Sequence, residues 1–100
     1  MPFVGGSVYA MTKAAVAGLT RGLARDLGAR GITVNNVQPG PVATDMNPAE
    51  GPFAESMKGL MALKRYGQGD EIAGLVAYLA SPEAGFVTGA SLTIDGGFAT

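Results

Sequence analysis

Tyr9 and Lys13 are the residues in this sequence whose types and spacing best suit chemistry. They stand four apart in Ser7-Val8-Tyr9-Ala10-Met11-Thr12-Lys13-Ala14-Ala15, at the head of an alanine-rich stretch. On a helix, that spacing places phenol and ammonium on one face, one turn apart. A nearby cation favours the phenolate, so such a tyrosine can exchange protons near neutral pH. The chain has no histidine and no cysteine, so proton transfer falls to Tyr, Lys, Asp or Glu. Without cysteine there is neither a thiolate metal site nor a disulfide framework, and no metal site is expected.

The elements that must position this pair follow from periodicity. Residues 9 to 27 read as a long helix, with Val16, Leu19, Leu23 and Leu27 as its buried stripe. Gly28 and Gly31 provide a left-handed stop. Ile32-Thr33-Val34-Asn35-Asn36-Val37 reads as a buried strand, ended by Pro39-Gly40-Pro41. Residues 41 to 67 form a long, Pro- and Gly-punctuated lid in which Pro52 opens a short helix. A second firm helix is expected over 70 to 80, with Ile72, Leu75, Val76 and Leu79 buried and Asp70 and Glu71 at its positive end. Ser91-Leu92-Thr93-Ile94 closes the chain as a strand before an Asp95-Gly96-Gly97 turn.

The order is therefore helix, strand, lid, helix, strand: an α/β arrangement with a parallel strand pair. Two strands make a poor sheet, and the first helix has no strand before it to pack against. The 100 residues read as one C-terminal segment of a doubly wound, Rossmann-type parallel sheet whose N-terminal half is missing. The composition agrees, being 47% hydrophobic and only 15% charged, with 16 glycines and a net charge of -1. That balance offers no basic footprint for nucleic acid. No apolar run is long enough to span a membrane, and Met1-Pro2-Phe3-Val4-Gly5-Gly6 lacks the pattern of a signal peptide. The cytoplasm is the default expectation.

Taken in order, several motifs resemble the short-chain dehydrogenase/reductase family. They are Tyr9-Ala10-Met11-Thr12-Lys13, Gly31-Ile32-Thr33-Val34-Asn35-Asn36-Val37, Pro39-Gly40-Pro41-Val42-Ala43-Thr44, Val87-Thr88-Gly89-Ala90 and Asp95-Gly96-Gly97. Leu63-Lys64-Arg65-Tyr66-Gly67 is similar to the 3-oxoacyl-carrier-protein reductase branch. The run Pro39 to Pro48 and the C-terminus resemble a cyclic-di-GMP-binding biofilm dispersal subgroup. The resemblance implies an oxidoreductase that moves a hydride between NAD or NADP and a carbonyl or alcohol substrate, with no choice offered between the two cofactors. It makes Tyr9 the acid/base and has Lys13 tune it while holding the nicotinamide ribose. It turns Pro39 and Gly40 past the nicotinamide, sets the Val42 backbone on the carboxamide and lets Thr44 reach the phosphates. Met46, Phe53, Met57 and Met61 would line an adaptable substrate lid.

The same resemblance puts a catalytic serine, a catalytic asparagine, the glycine-rich dinucleotide turn and the cofactor-selecting residue upstream of Met1. The 100 residues alone are therefore expected to be inactive, and the parent is expected to be a homodimer or homotetramer, with Phe98 near subunit contacts. Two other readings stay open: a non-catalytic, nucleotide-binding protein of cyclic-di-GMP type, and a remnant fragment.

Overall fold

A computed structural model describes residues 6–100. Helix α1 runs Gly6–Leu27, and a 3-10 turn at Gly28–Arg30 follows it. Strand β1 is Asn36–Pro39, helix α2 is Pro52–Gly59 and helix α3 is Gly69–Leu79. A second 3-10 turn at Pro82–Ala84 leads to strand β2, Ser91–Ile94. The two strands pair in parallel, with Asn36 opposite Ser91 and Pro39 opposite Ile94. Helix, strand, lid, helix and strand thus occur in the expected order.

Two hydroxyls inside α1 are absorbed by the helix itself. Thr12 Oγ1 donates to the Val8 carbonyl at 2.9 Å and Thr20 Oγ1 to the Val16 carbonyl at 2.7 Å. Gly31 ends the helical segment with φ +73°, its N–H donating to the Gly28 carbonyl, as the two-glycine stop implies. Pro52 occupies the first turn of α2, where its missing N–H costs nothing. At α3 the Glu71 carboxylate accepts from the Gln68 N–H at 2.9 Å, satisfying an amide that the helix start leaves over.

The first strand differs from its expected bounds. It covers residues 36–39 rather than 32–37 because β2, four residues long, offers ladder partners only from Ser91 onward. Upstream of that point, side chains join the pairing beside a backbone bond from Gly89 N–H to the Val34 carbonyl at 2.7 Å. Val34 N–H donates to Thr88 Oγ1, and the Asn35 amide donates to the Val87 carbonyl while accepting from Ala90 N–H at 3.1 Å. Asn35 therefore extends the pairing one step beyond the ladder.

The buried stripes also differ. On α1 the covered residues are Gly6, Thr20 and Ala24, whereas Leu19 is 62% exposed and Val16 and Leu23 are also exposed. A parallel pair of four-residue strands has too little surface to cover a 22-residue helix. The α1 face that does pack is made of small residues: the Ala24 Cβ lies 3.5 Å from where a side chain on Gly89 would begin. On α3, Ile72, Leu75 and Leu79 are half-buried and Val76 is exposed.

The most complete packing lies in the lid. Ala54, Met61 and Tyr66 are buried together, with Ala43, Ala49, Met57 and Phe98 against them. The segment between the strands is thus a small folded unit with its own core. Phe98, which the resemblance put near subunit contacts, packs onto that unit.

Candidate active site

A cleft of about 480 Å³ opens beyond the carboxyl ends of both strands. Gln38, Pro39 and Gly40 extend into it from β1, and Thr93 and Asp95 from β2. This is where open parallel sheets place ligands, because the chain leaves adjacent strand ends in separate directions there. The volume falls within the roughly 300–1,000 Å³ of small-molecule sites. Tyr9, Ala10 and Lys13 line it from the first turns of α1, and Phe53 and Met57 line it from α2.

Within the cleft, Lys13 Nζ stands 5.1 Å from the centroid of the Tyr9 ring. That is cation–π distance, so the ammonium lies over the ring face. Helical spacing delivered the pair to one face, as expected. Both belong to the cleft wall, and Tyr9 is 44% exposed.

Gly40 is a close-approach glycine: a Cβ there would meet the Asp95 Cβ at 2.6 Å. Its N–H donates to the Ile94 carbonyl at 3.1 Å, carrying the strand pairing one residue past Pro39. Val42 forms an isolated parallel bridge with Gly67. The flanking bonds are Gly67 N–H to the Pro41 carbonyl and Ala43 N–H to the Gly67 carbonyl, so the amide and carbonyl of Val42 itself point away from Gly67. The Thr44 hydroxyl accepts from Asn47 N–H at 3.0 Å and closes a turn at the start of the lid. Neither Val42 nor Thr44 is part of the cleft lining.

The four apolar lid residues separate. Phe53 and Met57 line the cleft, Met61 is 2% exposed in the lid core, and Met46 is 98% exposed outside the cleft. Gln38, Asn47, Tyr66, Thr93, Asp95 and Phe98 also line the cleft and were not among the site residues expected from the sequence. Asp95 carried a usable signal, since it directly follows a strand and so stands at the ligand edge of a parallel sheet. Among the described residues no group of three or more His, Cys, Asp or Glu side chains is placed to hold a metal ion, and no helix is long and apolar enough to cross a membrane.

Comparison with known proteins gives this geometry a context. A family profile described as enoyl-(acyl carrier protein) reductase matches residues 2–99. The cyclic-di-GMP-binding biofilm dispersal mediator protein of Escherichia coli K12 is 60% identical over 98 residues, which are 98% of this chain and 41% of that protein. The 3-oxoacyl-(acyl-carrier-protein) reductase FabG of Pseudomonas aeruginosa is 50% identical over 91 residues, 89% of this chain and 36% of that protein. Among solved structures, a short-chain dehydrogenase/reductase from Serratia marcescens BCRC 10948 superposes with a TM-score of 0.92 at 66% identity, over 100% of this chain and 41% of that one. The structure of BdcA in complex with NADPH superposes with a TM-score of 0.88 at 60% identity, over 98% of this chain and 40% of that one. The chain thus spans about two fifths of the length of the relatives it matches. Both branches of the resemblance recur among these names.

Proposed function

Because this chain belongs to the short-chain dehydrogenase/reductase family, we propose that it is the acid/base and lid portion of an NADPH-dependent carbonyl reductase. The observation that carries this reading is the convergence of Tyr9, Lys13, Pro39 and Gly40 with Phe53 and Met57 on one cleft beyond two parallel strand ends. The NADPH bound to a 60%-identical structure supports the choice of cofactor.

The residues present suit such a cofactor. The cleft can take its nicotinamide end, with the Lys13 ammonium on the ribose hydroxyls and Pro39 and Gly40 beside the ring. The Val42 amide and carbonyl, turned away from Gly67, suit the carboxamide. The Thr44 hydroxyl keeps its proton as a donor for a phosphate, since its bond to Asn47 uses only a lone pair. When bound, the reduced nicotinamide supplies a hydride.

Tyr9 gives its phenolic proton to the carbonyl oxygen as the carbonyl carbon is reduced, leaving an alcohol and a phenolate. In the oxidative direction the phenolate takes the proton back. The Lys13 charge lies over the same ring. Phe53 and Met57 cover the substrate with apolar surface and keep water from the reacting carbon.

Tyr9→Phe in the full-length protein tests the reading, with ethyl acetoacetate as the carbonyl probe and NADPH as reductant. Turnover is expected to fall by about 10²–10⁴-fold with NADPH affinity unchanged. Unchanged turnover would overturn the assignment of Tyr9. The 100-residue chain alone is expected to show no turnover.

A second reading rests on the name of the 60%-identical Escherichia coli relative. In that case the cleft holds cyclic-di-GMP and does no redox chemistry. Calorimetric titration of the full-length protein with cyclic-di-GMP separates the two, since competition with NADPH is expected only if both ligands use this cleft.

A further inference from the structure

The Asp95-Gly96-Gly97 turn touches both walls of the cleft. On the strand side, Asp95 lies against Gly40, where a Cβ would meet the Asp95 Cβ at 2.6 Å and its Cα at 2.8 Å. On the lid side, the Gly96 carbonyl accepts from Leu63 N–H at 2.9 Å. A Cβ on Gly96 would come within 2.9 Å of Met61 Cε, and one on Gly97 would overlap the Ala62 Cβ. Both glycines have φ in the left-handed region, +61° and +82°. The turn is held from within by the Asp95 carboxylate, which accepts from Gly97 N–H at 2.9 Å and Ala99 N–H at 3.0 Å. Immediately after it, Phe98 packs onto the lid core.

We propose that this turn is a positioning element that fixes the distance between the strand-end wall and the lid wall of the cleft, and thereby sets which substrates fit. Backbone meets the lid at positions 96 and 97 with no side chain between them, so the lid base sits at closest approach. A side chain on Gly97 displaces Ala62 and one on Gly96 displaces the end of Met61, against whose cluster Met57 of α2 packs. The strand-end wall would stay in place, because Gly40 is held independently by its bond to the Ile94 carbonyl. A change confined to the lid side is therefore felt by the substrate and not by the cofactor.

The inference rests on the reductase reading, and its test separates the two. In the full-length protein, Gly97→Ala is expected to raise KM for ethyl acetoacetate by tenfold or more, with kcat within about threefold and NADPH affinity unchanged. Combining it with Ala62→Gly removes the overlapping methyl and is expected to restore part of the KM, the left-handed φ at residue 97 and the Ala62 N at 3.3 Å remaining. A KM unchanged by Gly97→Ala would overturn the positioning role, as would a rise that Ala62→Gly fails to relieve. If Gly97→Ala does not fold, Asp95→Asn serves instead. Its amide can keep one of the two turn bonds, so it should raise KM less than Asp95→Ala does, and equal effects would overturn the proposal. Tyr9→Phe is measured alongside. Retained turnover there defeats the reductase reading itself, whereas lost turnover with an indifferent Gly97→Ala defeats only this inference.

Discussion

The Lys13 ammonium lies 5.1 Å from the centre of the Tyr9 ring, over its face and within the same cleft wall. In the proposed reading the tyrosine hydroxyl meets the substrate and the lysine holds the cofactor ribose. The two residues should therefore fail differently. Lys13→Ala is expected to lower turnover and to weaken NADPH binding about tenfold or more in the full-length protein. Tyr9→Phe should lower turnover alone. Fluorescence titration of NADPH against each variant makes the distinction, and equal cofactor affinity in the two would remove Lys13 from the cofactor site.

An ion pair stands at the base of the lid. The two terminal nitrogens of the Arg65 guanidinium donate to the two oxygens of Glu71 at 2.9 Å, a fork that lysine cannot reproduce. Arg65 and then the Gln68 amide hold the Glu71 carboxyl at about 2, below its ordinary 4.5. A carboxyl depressed in the folded state adds stability that is fully present above 4.5 and is lost as pH falls toward about 2. Protection of the Gly67 and Gln68 amides from hydrogen exchange, measured relative to the intrinsic rate at each pH, should fall across that window. Arg65→Lys should flatten the response. Because the pair is solvent-exposed, added salt should also weaken it.

The sequence disclosed those features that depend on local chemistry. Helix lengths came from periodicity, the stop at Gly31 and the start at Pro52 from backbone preference, and the Tyr9/Lys13 pairing from helical pitch. It failed where coverage by other elements decides. Leu19, Leu23 and Val16 form a correct apolar stripe, yet the described residues place little against it. The strand starting at Ile32 was legible as apolar and β-branched, but a strand needs a ladder partner and β2 supplies four residues. In the cleft, Phe98 was legible only as a subunit-contact residue, because it joins the wall that Tyr9 and Lys13 line only after β2 comes to lie beside β1.

The lid core can be tested through Met61, the largest fully buried side chain, which joins Ala54 and Tyr66. Truncating a buried methionine removes its transfer free energy and leaves a cavity. Met61→Ala is thus expected to cost about 2–5 kcal/mol, while Met61→Leu should cost less than about 1.5 kcal/mol. Thermal unfolding of the full-length protein measures both. Equal small shifts would mean that the lid core contributes little to stability.

The exposed face of α1 makes the last prediction. Val8 and Met11 are each 65% exposed and Leu19 is 62% exposed, on a helix whose packed side is made of small residues. Contiguous apolar surface of this kind favours association, because each buried Å² contributes roughly 25 cal/mol. The 100-residue chain is therefore expected to self-associate as its concentration rises and to bind an apolar dye. Leu19→Glu places a charge in the middle of that face without disturbing the covered Thr20 and Ala24. It should shift the sedimenting species toward monomer and reduce dye binding, while helix content by circular dichroism stays constant. A wild-type chain that is monomeric at every concentration and melts in one sharp, reversible transition would show that this face is stable in water without a partner.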